Sequence, residues 1–274
     1  MSEEIVAKVI ENAPLAALVW KVSEPLAEKL LGPTFEYLGT GGANLIQKSF
    51  ENVSRVLQIA VKKSGDRLDH PGQVPSRVLK SIVDEAAYNE DRLAADYYGG
   101  VLASSRSGVN RDDRGVVFSK LISNLSTYQI RAHYIFYTLF FELANGTSKN
   151  IAIDTELNSF NITMSMQSFI MAMDITSDEN VSNLIPHIYN GLISRNLLGP
   201  IFAFGDSNYI NQRFPSIQTD IPGSTFQPSL LGVELYLWAQ GRGDVILSEA
   251  LDGSFLPEPE SGIILPPDAQ LILP

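Results

Sequence analysis

Few side chains in this sequence have the types and spacing that catalysis or ligand binding requires. The three histidines, His70, His133 and His187, lie far apart along the chain, so they do not form the spacing pattern of a metal site. Cysteine is absent, which excludes disulfides, zinc–thiolate sites and cysteine nucleophiles. No Gly-x-Ser-x-Gly turn occurs, although a serine triad is defined by geometry and not by sequence order. We therefore predict no catalytic, cofactor-binding or metal-binding residue, and a protein that is not an enzyme.

A glycine-rich segment, Gly39-Thr40-Gly41-Gly42, precedes a predicted helix. Backbone N–H groups at the start of a helix can bind phosphate. The segment lacks the lysine followed by serine or threonine that ends a P-loop, and it does not follow a clear strand as a dinucleotide fingerprint does. A turn or a close approach of two helices therefore explains it better than a phosphate site.

Other candidate groups also have simple structural explanations. The adjacent carboxylates Asp112-Asp113 stand between Arg111 and Arg114, which favours surface ion pairs. Glu90-Asp91 favours a helix start, because acidic groups stabilise that end of a helix. The methionines at positions 164, 166, 171 and 173 could line an adaptable binding surface, but core packing is the better interpretation.

The charge of the chain is concentrated in its second half. Residues 1–120 carry 15 Lys and Arg against 16 Asp and Glu, whereas residues 121–274 carry 5 against 15, and the net charge is −11. Nucleic-acid affinity comes largely from basic side chains that displace counterions. The second half is therefore expected to repel nucleic acid, and a protein partner or a homo-oligomer fits its charge better.

The N-terminal residues favour a cytoplasmic protein. Glu3 and Glu4 stand where a secretory signal would carry positive charge. The apolar stretches 13–20 and 134–141 are shorter than the roughly 20 residues that a bilayer span requires. The first helix could lie on a membrane surface, but its charges balance and do not form a basic face.

Hydrophobic spacing predicts a helical first half. One or two helices are expected between Ile5 and about Leu31, and another over residues 46–61, where Ile46, Phe50, Val53, Leu57 and Val61 recur at helical spacing. Further helices are expected to open at Pro75-Ser76 and after Asn89-Glu90-Asp91. The polar loop Ser104–Gly115 is the candidate domain boundary.

The second half contains a strong helix start and a central apolar helix. After a short helix over residues 116–124, Ser126-Thr127-Tyr128-Gln129 forms a predicted capping box. The helix that it opens runs to Asn145-Gly146 and is apolar almost all round, so it should be the buried centre of this half. Residues 151–173 fit both a strand and a helix, and we favour a helix from about Thr163.

Further along the chain, helices and short strands alternate. A helix starts at Ser177-Asp178-Glu179, and Pro186 either kinks or divides it. An apolar strand, 201–204, is followed by a long polar excursion to Gly223 and by a helix over residues 230–240. The proline-rich segment 253–274 should be extended and should lie on the body of the protein or on a partner.

This order of elements resembles a winged-helix module. The sequences Leu-Ile-Ser-Arg-Asn-Leu-Leu, residues 192–198, and Phe-Gln-Pro-Ser-Leu-Leu-Gly-Val-Glu-Leu, residues 226–235, look like the segments on either side of the wing, and Asn196 allows a sharp turn between helix and strand. The resemblance covers about residues 115–241. We expect a mainly α protein with a small β component: a helical N-terminal region over 1–110, a winged-helix-like domain over 111–250, and an extended tail over 251–274.

The first half resembles a narrower group, the abortive-infection alpha family of bacterial proteins. The resemblance rests on the segments 31–39, 74–79 and 86–91 and on Leu102-Ala103. A tryptophan usually stands five residues before that alanine in the family, and Tyr98 holds the place here. The resemblance spans about residues 26–240 and implies a role in defence against phage, without catalytic residues to carry over.

Together these observations predict a non-enzymatic protein of bacterial anti-phage defence that acts through protein–protein contacts. Two alternatives remain open at this point. The winged-helix module could make the protein a DNA-binding regulator, with a reading segment at about Asp178–Arg195. The protein could also be an enzyme with an unrecognised site, which would require a concave pocket with convergent polar side chains.

Overall fold

The structure, a computed structural model, describes Lys29 and residues 47–109, 111–257 and 262–273. This part of the chain is mainly helical, with ten α-helices and one four-stranded antiparallel sheet, which confirms the predicted fold class. The chain forms two compact units. Unit 1 comprises the residues up to Asn124 together with Leu237–Asp244, and unit 2 comprises Leu125–Tyr236 and the residues from Val245 onward. The predicted helices between Ile5 and about Leu31 and the patch Gly39–Gly42 lie outside the described residues, apart from Lys29.

The described residues of unit 1 form four helices close to their predicted positions. They are α1 (Gln47–Ser64), α2 (Ser76–Ala86), α3 (Arg92–Ser104) and α4 (Gly115–Ser123), and a 3-10 turn, Gly65–Asp69, follows α1. The Asp91 carboxylate accepts a hydrogen bond of 2.7 Å from the N–H of Ala94 and so caps α3, as predicted. Pro75 directly precedes α2, where its fixed φ suits a helix start.

Two adjacent glycines let α3 approach its neighbours closely. A Cβ atom on Gly99 would lie 2.5 Å from Cγ2 of Ile59 in α1, and one on Gly100 would lie 1.6 Å from the carbonyl oxygen of Ala239. Neither distance is compatible with a side chain. Tyr98, directly before the pair, is also buried. The glycine pair therefore sets how closely α3 packs against α1 and against the segment 237–244.

Two cations of unit 1 bind carbonyl groups of the segment 237–244. Lys63 Nζ donates to the carbonyl oxygen of Ala239 at 2.7 Å, and it forms an ion pair with Asp96, of which 5% is exposed. The guanidinium of Arg67 donates to the carbonyl oxygen of Gly241 at 2.6 Å. These bonds satisfy carbonyl groups that a helix leaves open at its C-terminal end. Both cations therefore have a structural role inside unit 1.

The polar loop 104–115 belongs to unit 1 and does not separate the units. Gln73 and Ser107 exchange two backbone hydrogen bonds of 3.0 Å, which anchor the loop. Helix α4 follows the loop and packs against α2 and α3. The division between the units therefore lies after Asn124, later than the boundary expected at Ser104–Gly115, because α4 completes the helical packing of unit 1.

Unit 2 contains the sheet and most of the other helices. Its elements are α5 (Thr127–Ala144), α6 (Asp154–Leu157), β1 (Asn161–Ser165), α7 (Met166–Ala172), α8 (Val181–Ile193), β2 (Phe202–Gly205), α9 (Ser207–Arg213), β3 (Gly223–Phe226) and β4 (Gln270–Ile272). Helix α10 (Leu230–Ala239) begins in unit 2, and its last three residues belong to unit 1.

Helix α5 is the buried centre of unit 2, as predicted. Ser126 and Gln129 form the predicted capping box at its start, and thirteen of its eighteen residues are buried. The Phe136 ring lies 4.3 Å from the ring of Phe226 in β3 and 5.6 Å from that of Tyr189 in α8. Aromatic side chains dominate such a core because each one buries a large apolar area.

The sheet has the strand order β2-β3-β1-β4, and the pairs β2–β3, β3–β1 and β1–β4 are antiparallel. With α6 and α9 as additional helices, the elements α5, β1, α7, α8, β2 and β3 follow the order of a winged-helix module, in which β1 pairs with β3. The sequence predicted the helices before Asn196 and the two strands after it, but not the strand β1. Asn196 has φ +55° and makes the sharp turn between α8 and β2. The extended tail lies on unit 2, because its residues 270–272 form β4 on the free edge of β1.

Two details of unit 2 differ from the sequence analysis. The helix favoured from about Thr163 is wrong, because residues 161–165 form β1 and α7 starts at Met166. The Ser165 side chain accepts the N–H of Ser168, which ends the strand and caps α7. The excursion after β2 contains α9, whose start is capped by Asp206 through the N–H of Tyr209. Pro186 lies inside a continuous α8 and does not divide it.

Replacing Gly100 with alanine tests the close packing of α3. The new Cβ would collide with the Ala239 carbonyl, so we expect Gly100→Ala to lower the free energy of unfolding by about 1–3 kcal/mol. Gly108→Ala is the matched control, since no atom lies within 4 Å of its Cβ position, and it should change stability by less than about 0.5 kcal/mol. Urea unfolding measures both. Equal stability of the two variants would contradict the packing role.

Candidate interaction surface

Helix α8 occupies the place of the reading helix in the winged-helix module. The Asn180 side chain caps its start by accepting the N–H of Asn183 at 3.3 Å. Its buried side carries Ile185, Ile188, Tyr189 and Leu192. Its exposed residues are Ser182, Asn183, His187 and Asn190. Helix α8 therefore presents a polar surface that contains no lysine or arginine.

Unit 2 contains few basic residues that could create a positive surface along this helix. Its basic residues are Arg131, Lys149, Arg195 and Arg213, against fourteen Asp and Glu. The Arg131 guanidinium donates to the carbonyl of Ala172 at 2.9 Å, and that of Arg195 donates to the carbonyl of Gly191 at 2.9 Å. Two of the four cations thus bind carbonyl groups near the ends of α7 and α8. They do not form a cationic groove beside α8.

The excursion between β2 and β3, which would be the wing, packs against the sheet. Ile210, Phe214 and Ile217 are buried in one cluster with Ala203 of β2, and Ile272 of β4 packs against it. Three apolar side chains of the excursion are therefore used to cover the sheet. A wing that inserts into a DNA groove needs exposed basic residues, and Arg213 is the single Lys or Arg between residues 206 and 222.

Strand β2 forms one edge of the sheet. Ile201 accepts the N–H of Gln227 at 3.2 Å, and backbone groups of successive residues in a strand point to opposite sides. The N–H and C=O groups of Phe202 and Phe204 therefore point away from β3, and no backbone hydrogen bond from a described residue reaches them. Both rings are half-buried against Tyr189, at 5.7 and 4.8 Å. An open edge of this kind can pair with an extended segment of another chain.

A hydrogen-bonded cluster joins α8 to the first turn of α5. Nε2 of His187 lies 2.9 Å from Oγ of Ser126 and 3.2 Å from Nε2 of Gln129. Gln129 Nε2 also donates to the backbone carbonyl of His187 at 3.0 Å. The capping box has a local sequence signal, but its contact with His187 has none, because Gln129 and His187 are 58 positions apart.

His133 is a buried structural histidine, as the sequence suggested. Its Nε2 lies 3.2 Å from the carbonyl oxygen of Gly232, so the imidazole donates a proton to that oxygen. Burial lowers the pKa of His133 to about 3, despite the opposing effect of this hydrogen bond. The ring is therefore neutral in the folded protein at neutral pH. His70 lies exposed in unit 1, after the 3-10 turn.

The paired carboxylates make surface ion pairs. Asp112 pairs with Arg114 at 2.8 Å, as predicted, and Asp113 pairs with Arg77 at 2.6 Å and not with Arg111. Such exposed pairs contribute little to stability.

The methionines divide between core and surface. Met164 and Met173 are buried, which confirms core packing for these two, whereas 68% of Met171 is exposed. The four methionines therefore do not form a continuous exposed surface.

A depression of about 350 Å³ lies in unit 2 between α6, the turn after α8 and the start of α10. Its polar lining consists of Asp154, Asn158, Asn196 and Ser229. The Ser229 hydroxyl is already engaged, because it donates to the carbonyl of Asn196 at 2.6 Å and accepts the N–H of Gly232 at 3.1 Å. No histidine or lysine lines this depression to activate it.

Among the described residues, no group of three or more His, Asp and Glu side chains is placed to hold a metal ion. In the same part of the chain, no helix has the length and apolar character that a bilayer span requires.

The neutral His133 predicts a specific loss of stability in acid. The folded pKa is about 3, below the ordinary value of about 6.5 for an unfolded chain, so the unfolded state binds the proton first. We expect His133 to lower the free energy of unfolding by about 1.4 kcal/mol per pH unit below about pH 6.5, or about 2 kcal/mol by pH 5. His133→Gln, which keeps a donor for Gly232, should lack this component. Parallel stability curves for the two proteins between pH 7 and 5 would contradict it.

The surface formed by α8 and the edge strand β2 is hereafter the α8–β2 surface. It combines a neutral polar helix, an open strand edge and two half-buried phenylalanines in a unit with a large excess of negative charge. Comparison with family models, with curated proteins and with solved structures finds no match for this chain.

Proposed function

We propose that this chain is a non-enzymatic, cytoplasmic protein of bacterial anti-phage defence and that it acts by binding another protein through the α8–β2 surface. The observation that carries the proposal is the combination of a winged-helix topology with a reading helix that bears no cation. Fold alone does not decide function, so we infer the function from the chemistry of the surface.

The charge of unit 2 argues for a protein partner. Phosphate backbones bind through lysine and arginine, and two of the four basic residues of unit 2 are engaged with helix carbonyls. The excursion after β2 packs its apolar side chains on the sheet. Both usual points of DNA contact in a winged helix, the reading helix and the wing, therefore lack the groups that DNA binding requires.

The open edge of β2 suggests how a partner would bind. An extended segment could pair with the outward N–H and C=O groups of Phe202 and Phe204, while its apolar side chains pack on the two half-buried rings. Basic residues in that segment would complement the acidic unit 2 and would speed association. A partner with a basic, extended segment is therefore the expected class.

The defence role rests on the resemblance to the abortive-infection alpha family. In unit 1 the residues that carry this resemblance are structural: Val74, Val78, Ala86 and Leu102 are each at most 2% exposed, and Asp91 caps α3. The segment 31–39 lies outside the described residues. These positions support a shared core and leave the binding chemistry to other surfaces.

A DNA-binding regulator is the second candidate, and the winged-helix topology is the observation that favours it. We expect the full chain to bind a labelled 30-base-pair duplex with a Kd weaker than about 0.1 mM at physiological salt, the weak limit of non-specific binding. Fluorescence anisotropy over a salt series provides the measurement. Binding that is tighter than this and weakens steeply with salt would favour the regulator over the interaction protein.

Arginine substitutions on α8 test the proposed surface in cells. Asn183→Arg combined with Asn190→Arg should weaken partner binding by about tenfold, because two large cations would occupy the centre of the contact. Phage plating on cells that carry the gene, lack it or carry the double variant measures protection. We expect protection from the natural gene and its loss in the double variant.

Ser248→Arg combined with Ser254→Arg is the matched control, since both serines are exposed, lie outside α8 and add the same charge to unit 2. This pair should leave protection intact. Equal plaque counts with and without the gene across a broad phage panel would count against the defence role. Equal protection by both double variants would instead count against the α8–β2 surface.

A further inference from the structure

Strand β2 is a sheet edge with little protection against pairing. Edge strands are usually protected by shortness, by a charge or by a proline. β2 is short, but its four residues, Phe-Ala-Phe-Gly, contain neither a charge nor a proline. Pro200 stands just before the strand and Asp206 follows it directly. The edge is therefore open to another strand, but only over the few residues between these two.

The backbone of this edge is complementary to itself. Its outward groups are the N–H and C=O of Phe202 and Phe204, since the preceding residue Ile201 bonds towards β3. When two copies of β2 lie antiparallel about a twofold axis at Ala203, Phe202 of each copy lies directly opposite Phe204 of the other. Opposite residues of this kind exchange two hydrogen bonds. The four resulting bonds use all the outward groups of both strands.

The side chains suit the same register. The rings of Phe202 and Phe204 lie on one face of the sheet, where both stack on Tyr189. Across the twofold axis each ring lies beside a ring of the second copy, and aromatic cross-strand pairs stabilise antiparallel strands. On the other face, the small side chain of Ala203 meets its counterpart. This contact would cover the part of each half-buried ring that a single copy leaves in water.

The distribution of charge also favours a second copy at this place. Unit 2 carries fourteen Asp and Glu against four Lys and Arg, so two copies repel each other across most of its surface. The ranges 181–194 and 196–205, which form α8 and β2, contain no charged residue. In the twofold register, Asp206 lies opposite Pro200 of the second copy, and the two Asp206 residues are about 20 Å apart along the strands. Two acidic units can therefore meet here with little repulsion.

We propose that the β2 edge of a second copy occupies the open edge of β2, in a symmetric dimer that joins the two four-stranded sheets into one antiparallel sheet. A twofold contact uses the same surface on both copies and closes at two. The dimer regulates the α8–β2 surface, because a partner segment can pair with β2 only after the copies separate. This regulatory role rests on the proposed function, whereas the dimer itself does not.

Single cysteines in the full chain test the register, since the natural chain contains none. Ala203→Cys places two thiols at the twofold axis, where the Cα atoms of opposite residues lie about 4.5 Å apart, within disulfide range. In each separate copy Ala203 is buried, so random collision should not link this position. Ile201→Cys is the matched control, because the two positions 201 lie about 13 Å apart along the strands.

Under mild oxidation, Ala203→Cys should form a disulfide-linked dimer at least about tenfold faster than Ile201→Cys. Non-reducing electrophoresis measures both rates. Equal rates, faster linkage through Ile201→Cys, or no linkage in either variant would overturn the proposed register.

Sedimentation velocity of the natural chain tests the dimer directly. We expect a monomer–dimer equilibrium between about 1 and 100 µM protein. Phe202→Glu should raise the dimer Kd by more than about tenfold, because it places a carboxylate against an aromatic ring of the second copy. Ser248→Glu, which adds the same charge at an exposed position outside α8 and β2, should leave the Kd unchanged.

A monomer throughout this range, species larger than a dimer, or equal Kd values for the two variants would overturn the dimer. Phage plating separates this outcome from a failure of the proposed function. A monomeric chain that still protects cells would remove the dimer and leave the proposed function in place. A dimeric chain without protection would do the reverse.

Discussion

Helix α5 has no side that can be left in water, and this requirement organises unit 2. With thirteen of eighteen residues buried, the helix needs apolar cover all round. The sheet supplies Phe226, α8 supplies Tyr189, and α10 supplies Tyr236, whose ring lies 5.5 Å from that of Phe141. Each of these contacts also positions the element that provides it. The orientation of α8, and therefore the choice of its exposed residues, is determined by the packing of its buried side on α5.

The module has the topology of a DNA reader but a different surface chemistry. Burial on α5 fixes the elements, whereas the outer side of α8 and the outer face of the sheet are free to vary. In this chain the helix surface is polar and uncharged, and the excursion after β2 covers the sheet with Ile210, Phe214 and Ile217. The acidic unit 2 therefore combines the scaffold of a winged helix with a helix surface that carries no lysine or arginine.

Local signals predicted most helices, because capping residues and hydrophobic spacing act over a few positions. The capping box at Ser126 and the turn at Asn196 are examples. The strand β1 was not predicted, because its five residues run directly into a helix that starts at Met166. The hydrophobic residues of this segment fit both the two-residue period of a strand and the 3.6-residue period of a helix. Helix α9 could have been found from Asp206, the residue that caps its start. The contact of Gln129 with His187 could not, because it depends on how two distant helices pack.

The glycine pair in α3 has a consequence for how the chain folds. In the sequence, the whole winged-helix module lies between Gly100 and its packing partner Ala239. The segment 237–244, which belongs to unit 1, therefore follows that module in the chain. Closing so large a loop is entropically costly and slows folding relative to local helix pairing. A fragment that stops at Asn124 would lack the segment that packs on Gly100 and accepts hydrogen bonds from Lys63 and Arg67. Any dissection of the chain therefore has to supply residues 237–244 together with the first half.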